Sequence, residues 1–350
     1  MTELLSKVES HLSAELPFAV FCKPGKNAVN GIFQKEPGVH YLENYNDSGF
    51  VFAPFVDEKR VLIPLNFSEV ITVEFNGVAT VPEVKHTEID ANAQTAFEAL
   101  VAKSVTAIQS GDFEKLVCSR TEFVPITTDV TTIYTKLLSA YPNAYRYCFY
   151  SPETGLWMGA TPEQLLKSDG KTIQTVALAG TQPYKEGEDA VWESKEQQEQ
   201  QFVTDYILYE LKGLVSDVIT NGPYTFRAGN IVHIKTDISA KLSGPGSLEN
   251  IINTLHPTPA VCGLPKQAAK RFLLDNEGYD REYYSGFLGE LNIDVATGNK
   301  ATDLFVNLRC MKVNGTTAQL FIGCGITKDS NPEKEFIETV NKSMTMRRVL

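Results

Sequence analysis

Asn314-Gly315 sits between two largely apolar runs, Asp303–Val313 and Thr316–Ile326. Asn followed by Gly suits the two left-handed positions of a two-residue turn, so the pair predicts an antiparallel hairpin near the C-terminal end. The same pattern of strand after strand recurs along the chain. Lys115–Val124 (KLVCSRTEFV), Arg146–Ser151, Leu156–Ala160, Thr172–Ala179, Ile231–Leu242 and Gly286–Ile293 read as strands, and many follow one another directly. A parallel arrangement would need a crossover connection at each step. The spacing therefore predicts an α+β fold with largely antiparallel sheet. No glycine-rich phosphate loop leads from a strand into a helix, which leaves a nucleotide-binding reading without an anchor.

Helices are predicted where the apolar period lengthens. Residues 91–111 carry Phe97, Val101, Val105 and Ile108 at helical spacing and end at Gly111. Val130–Ala140 reads as a second helix and Gln267–Leu274 as a short one. Ser194–Ile219 reads as one long helix, with apolar positions at Phe202, Val203, Tyr206, Ile207, Leu211, Leu214 and Val218. A last helix starts at Asn331-Pro332, with Asn as N-cap and Pro in the first turn. Residues 1–90 differ in character: FAVFCK, GIFQ, GFVFAPF and VLIPL are short apolar runs broken by Gly, Pro, Asn and Asp. They predict a β-rich segment that packs on the rest of the chain, 91–350, the whole forming one structural domain.

Of the 350 residues 43% are hydrophobic, enough to bury a large core, and the net charge is −11. Phosphate binding needs a basic footprint, so nucleic acid is not an expected partner. The same charge means that an anionic substrate must be met by a few cations gathered in one place, or by a metal. No apolar run is long enough to span a bilayer, and MTELLSKVESHL lacks the apolar centre of a signal peptide. The six cysteines, at 22, 118, 148, 262, 310 and 324, are far apart with no CxxC pair. Reduced thiols in a cytoplasm without a membrane partner are the expectation, not a disulfide framework or a zinc site.

Several residues could carry chemistry. Glu199 falls in the sector of its helix that holds Val203, Tyr206 and Leu214, where a carboxylate is costly without a cation; it also lies in the polar run ESKEQQEQQ, which reads as solvated. Glu335, Glu338 and Lys342 share one face at i, i+3, i+7. By pattern alone that face belongs to solvent, although it could equally line a cleft. Lys115 is a candidate general base on its strand, and Glu163, after Thr161-Pro162, a candidate general acid. Arg309 reads as part of a hairpin strand, beside Phe305, Asn307 and Met311, where it would meet an acid or an anion. Gly323-Cys324-Gly325 on the facing strand would let backbone approach a ligand closely.

In order along the chain, KLVCSR (115–120), GATPEQLLK (159–167), ALAGTQP (177–183), KEQQEQQFV (195–203), LHPTPAVCGLPKQAA (255–269), YDREYYSGFLGEL (279–291), NLRCMKV (307–313), LFIGCGI (320–326) and EKEFIETVNKSMTM (333–346) resemble the chorismate-utilising family of isochorismate, salicylate, anthranilate and aminodeoxychorismate synthases. The resemblance implies two interleaved α+β halves with large antiparallel sheets, flanked by helices, around a central cleft. It implies Mg²⁺ held by Glu199 and Glu338, and carboxylates of chorismate met by Arg309 and Lys342 with help from Gly180, Thr181, Ala260 and Gly323. Anthranilate synthases, which add ammonia, carry glutamine at the position of Lys115. Common aminodeoxychorismate synthases place a nucleophilic lysine at the position of Ala179. Lys115 with Ala179 is the water-using combination, which implies isochorismate synthase: Lys115 activates water for attack at C2, and Glu163 protonates the leaving C4 hydroxyl. Such a product serves menaquinone or siderophore biosynthesis. Salicylate synthase, which goes on to eliminate pyruvate, uses the same pair and is the alternative; a non-catalytic chorismate-binding subunit is the alternative of another class. No glutaminase subunit is expected, and a monomer is. His233 and Glu282 lie in matching stretches without an assigned role. Gln200 and Gln182 depart from the His and Arg that relatives often carry.

Overall fold

The computed structural model describes residues 1–56, 59–77, 89–228, 231–244 and 246–350. The chain opens with helix α1 (Thr2–Ser13) and strands β1 (Phe18–Cys22), β2 (Ala28–Gln34), β3 (His40–Tyr41), β4 (Gly49–Ala53), β5 (Val61–Pro64) and β6 (Ser68–Glu74). Next come α2 (Ala91–Gln109), β7 (Lys115–Pro125), α3 (Val130–Ala140), β8 (Tyr145–Ser151), β9 (Gly155–Thr161), β10 (Gln164–Ser168) and β11 (Thr172–Pro183). Helix α4 (Ser194–Glu210) leads to β12 (Val215–Ala228), β13 (Ile231–Leu242), α5 (Ser247–Leu255), β14 (Gly263–Leu264) and α6 (Lys266–Asn276). The last stretch holds β15 (Phe287–Leu291), β16 (Thr302–Val306), β17 (Cys310–Asn314), β18 (Thr317–Ile326) and α7 (Pro332–Arg347).

Among the described residues the strands form two sheets of nine. One runs β14-β7-β18-β17-β9-β8-β1-β2-β6, the other β12-β13-β11-β10-β16-β15-β4-β5-β3, and all the strand pairs are antiparallel. This is the α+β arrangement of interleaved halves that the sequence suggested. The residues before position 90 contribute strands to both sheets. Between the sheets lies an aromatic layer that includes Phe52, Tyr145, Tyr147, Trp157, Tyr283 and Phe321. Each such ring, fully buried, contributes roughly 1.5–3 kcal/mol from area alone. Helices α2, α6 and α7 cover the end of the first sheet at β7 and β18, and α4 and α5 cover the second. Strand β7 is therefore buried on both faces over Lys115–Ser119, a continuous burial that includes the polar Lys115 and Ser119 instead of an in/out alternation.

Two connections between the sheets place the site. Strand β9 of the first sheet passes to β10 of the second across Pro162 and Glu163; β16 of the second returns to β17 of the first across residues 307–309. The two crossings are bonded to each other: Val306 N donates to Glu163 O (2.9 Å), Ala160 N to Arg309 O (3.0 Å) and Thr161 Oγ1 to Val306 O (2.7 Å). The single strand expected over 303–313 is thus two strands in different sheets. The break falls where Arg309 adopts φ 48°, a left-handed conformation with a steric cost for any side chain. Arg309 consequently sits at a crossing and not within a hairpin strand.

The long helix expected over 194–219 also ends early. Gly213 (φ 80°) follows the last turn, and residues 215–219 belong to β12 with Val218 and Ile219 exposed. Those apolar residues continue the helical period by coincidence. The Asn314-Gly315 hairpin, the Asn331 cap (its Oδ1 accepts from Lys334 N at 3.0 Å) and the borders of α3 and β13 agree with the sequence reading. Helices α1 and α5 were not anticipated.

Candidate active site

A small cavity of about 50 Å³ lies where the two crossings meet the ends of β7, β11, β13 and β18. Its wall includes Glu163, Gly180, Thr181, Glu199, Ala260, Arg309, Gly323 and Lys342, so eight of the ten residues to which the resemblance assigns a role border one space. Glu338 reaches it through Lys342, 2.7 Å from Glu338 Oε1. Lys115 stands behind Glu199, its Nζ 3.0 Å from Glu199 Oε1, and is wholly buried. The last helix faces inward with its polar side: Glu335 and Lys342 are buried, while the apolar Ile337 is exposed. A helical wheel missed this because α7 is packed on more than one side, against α2 and β18.

Local backbone explains how each group arrives. In β11 the register with β13 shifts between Ala179 and Gln182. Such a bulge re-aims the chain, here at Gly180-Thr181. Gly180 has φ 72°, and a Cβ there would stand 3.1 Å from Cβ of Glu196. On β18 a Cβ at Gly323 would be 2.6 Å from the Tyr284 hydroxyl, and one at Gly325 would be 2.6 Å from the Glu199 carboxyl carbon. The absence of a side chain at 325 is what gives the Glu199 carboxylate its place. Gly325→Ala is expected to lower stability by about 1–3 kcal/mol, read by denaturant unfolding. A cost near zero would show that Glu199 moves aside freely.

The electrostatics divide the carboxylates. Burial pushes Glu163 up, against the pull of Lys115, Arg309 and Lys342, and leaves it at about 7. Burial also opposes charge on Glu199, but Lys115 and then Lys195 hold it down at about 2. One group is therefore able to give a proton near neutral pH, and the other is a fixed anion. Among the described residues no hydrogen bond or ion pair engages the Arg309 guanidinium, whose surroundings include Tyr284, Glu338 and Glu163. Lys342 Nζ also donates to Gly323 O at 3.0 Å. The Cys324 thiol in the wall is pushed up by burial and is a poor nucleophile.

His233 lines the cavity too. Its Nδ1 is 2.8 Å from Gly180 O, which can only accept, so Nδ1 carries the proton. Nε2 then faces inward as an acceptor with no protein partner among the described residues. Burial first, then Arg309 and Lys342, lower its pKa to about 3, so the ring is neutral. Glu282 lies elsewhere: it pairs with Lys312 at 2.5 Å and does not border the cavity. Gln200 ties α4 to β13 through Thr236 Oγ1 (2.8 Å), and Gln182 donates to Val191 O (2.7 Å). Tyr284 in the wall and Lys195 beside Glu335 were not legible in the sequence, because neither follows from period or turn chemistry.

A hard divalent cation fits the carboxylates at this end. Glu196 Oε2 and Glu335 Oε2 are buried without a partner, and Glu199 and Glu338 stand one helical turn beyond them on α4 and α7. Oxygen donors of this kind suit Mg²⁺. Among the described residues no three acidic, histidine or cysteine groups already converge at ligating distance, and lysines occupy the spaces between the carboxylates.

Comparison with known proteins agrees with this geometry. The family model for chorismate binding enzymes matches residues 66–350, and the chain belongs to that family. Isochorismate synthase EntC of Escherichia coli K12 is 29% identical over 269 residues, which is 73% of this chain and 67% of that protein. The salicylate biosynthesis isochorismate synthase of Pseudomonas aeruginosa is 31% identical over 75% of this chain and 56% of its own length. Among solved structures, the menaquinone-specific isochorismate synthase MenF of Escherichia coli superposes with a TM-score of 0.77 at 20% identity, covering 95% of this chain and 88% of that one. That likeness establishes the shared fold. No helix among the described residues is long and apolar enough to cross a membrane.

Proposed function

We propose that this chain is an isochorismate synthase, an isomerase that moves the hydroxyl of chorismate from C4 to C2 by way of water. The observation that carries this reading is a carboxyl poised near neutrality in the cavity wall, Glu163, with the buried Lys115 behind Glu199 of the same wall, while Ala179 and not a lysine lines the cavity beside them. Ala179 stands where common aminodeoxychorismate synthases carry a nucleophilic lysine, which supports water as the attacking group.

In the proposed reaction Arg309 and Lys342 take the two carboxylates of chorismate, and the backbone at Gly180, Thr181, Ala260 and Gly323 fixes the ring. Bound Mg²⁺, held by Glu199 and Glu338, would supply positive charge for the ring carboxylate. Lys115, released from Glu199 and acting as the neutral amine, accepts a proton from water as the water oxygen bonds to C2. The ring double bonds shift, the C4–O bond breaks, and Glu163 gives its proton to the departing hydroxyl, which leaves as water. One water enters and one leaves, so the net change is an isomerisation. Neutral His233 presents a lone pair to a hydroxyl of the ring or to the water. We place the enzyme in the cytoplasm, acting without a glutaminase; six buried free cysteines suit a reducing compartment.

Glu163 acts as an acid only while it carries its proton. With its pKa near 7, kcat is expected to fall as pH rises through about 7. A steady-state profile from about pH 6 to 9 at constant ionic strength checks this, and a flat profile would remove Glu163 from the role. The product itself is read by chromatography after incubation with chorismate and Mg²⁺. Isochorismate supports the reading; salicylate with pyruvate would move it to the lyase.

A further inference from the structure

Four glutamates crowd the outer side of the cavity, Glu196 and Glu199 on α4 and Glu335 and Glu338 on α7, and three lysines are threaded among them. Lys115 meets Glu199 at 3.0 Å, Lys342 meets Glu338 at 2.7 Å and Lys195 meets Glu335 at 2.5 Å. Lys115 and Lys342 have tasks in the proposed reaction. Lys195 has none. It lies one turn before Glu199 on α4, and its partner Glu335 lies one turn before Glu338 on α7, so its ammonium bridges the two helices. Burial works against its charge, but Glu335, Glu199 and Glu338, in that order, outweigh burial and hold its proton more tightly than usual. One ammonium does not satisfy this group: an oxygen of Glu335 and an oxygen of Glu196 stay buried without a partner.

We propose that Lys195 is the chain's own counter-ion for this carboxylate group, and that metal entry is an exchange of cations in which its ammonium leaves the space shared by Glu335, Glu199 and Glu338. The proposal rests on the reading that Glu199 and Glu338 hold Mg²⁺. Room for the movement exists. Lys195 also borders an outer groove of about 980 Å³ whose wall carries Glu188, Asp189, Glu193 and Asp329. The flexible four-carbon stem lets the ammonium trade one set of carboxylates for another, so no bare charge is left buried at either stage. Exchange also explains why the glutamates do not yet converge on one point: the internal cations hold them apart.

A purely structural clamp between α4 and α7 would have the opposite signature. Losing a clamp loosens the carboxylates and weakens metal binding, whereas losing a competitor strengthens it. The test is calorimetric titration of the full chain with Mg²⁺ alone, without chorismate, comparing wild type with Lys195→Met and Lys195→Arg. The Met variant is expected to bind Mg²⁺ about tenfold more tightly, and the Arg variant no more tightly than wild type. Without metal the Met variant should also melt at a lower temperature than wild type, with the gap closing as Mg²⁺ is added. Lys195→Gln carries the same expectation and serves if the Met variant does not fold. Unchanged or weaker Mg²⁺ binding by the uncharged variants overturns the proposal while leaving the metal reading intact. Binding by neither wild type nor variants overturns the metal reading and the proposal together.

Discussion

Lys115→Gln is expected to lower kcat by about 10²–10⁴-fold, the range over which a positioned acid or base acts, while chorismate still binds. Glutamine nearly matches lysine in reach but cannot take a proton from water. The site has no substitute: Cys324 is a buried thiol pushed up by its surroundings, and the neutral His233 is held at so low a pKa that it is a weak base. Binding should persist because Arg309 and Lys342 do not depend on Lys115 for their placement; one stands at a crossing between sheets and the other is bonded to Glu338 and Gly323. The fold should persist as well, since Lys195 and Lys342 still offset the charge of Glu199. Steady-state kinetics with a separate measurement of chorismate binding separates the effects. Full activity in the variant would rule out Lys115 as the base.

Arg281→Met is expected to cost about 3–5 kcal/mol of stability, the scale for breaking one half of a buried ion pair. Arg281 is 1% exposed. Its guanidinium bonds both oxygens of Glu277 (2.6 and 2.7 Å), Val117 O on β7 (2.7 Å) and Val261 O (2.8 Å) beside Ala260. Ser119 N and Oγ also donate to Glu277. This one side chain therefore joins the strand that carries Lys115 to the loop that lines the candidate cavity. Removing it leaves Glu277 buried with the serine as its remaining donor and leaves two carbonyls without their arginine donors. Chemical denaturation measures the loss, and a change below 1 kcal/mol would show that water or another cation replaces the guanidinium.

Much of the fold was readable because its local signals agree with one another. Asn314-Gly315 marks a hairpin, Asn331-Pro332 caps a helix, and α3 and β13 have the periods of their classes. What period could not give was the passage of a strand from one sheet to another. Residues 303–313 read as one apolar run because both sheets bury their strands, and only the left-handed turn at Arg309 divides it. Residues 215–219 misled for a related reason: Leu214 and Val218 continue a helical spacing past Gly213, where the helix has ended. At the site, period alone left Glu199 undecided and assigned Glu335, Glu338 and Lys342 to solvent. The resemblance carried by the motif order assigned roles to Glu199, Glu338 and Lys342, and the structure places Glu199 and Lys342 in one cavity wall that no single helix displays. Lys195 stayed hidden because a lysine in a polar run looks solvated until α7 is brought beside it.

Incubation with chorismate and Mg²⁺ in ¹⁸O-labelled water, followed by mass spectrometry of the separated products, tests the central claim most directly. Isochorismate carrying one heavy oxygen at C2, with the unlabelled C4 oxygen released to solvent, is the expected result. Isochorismate without the label, salicylate with pyruvate, or chorismate recovered unchanged from folded protein supplied with Mg²⁺ would contradict it.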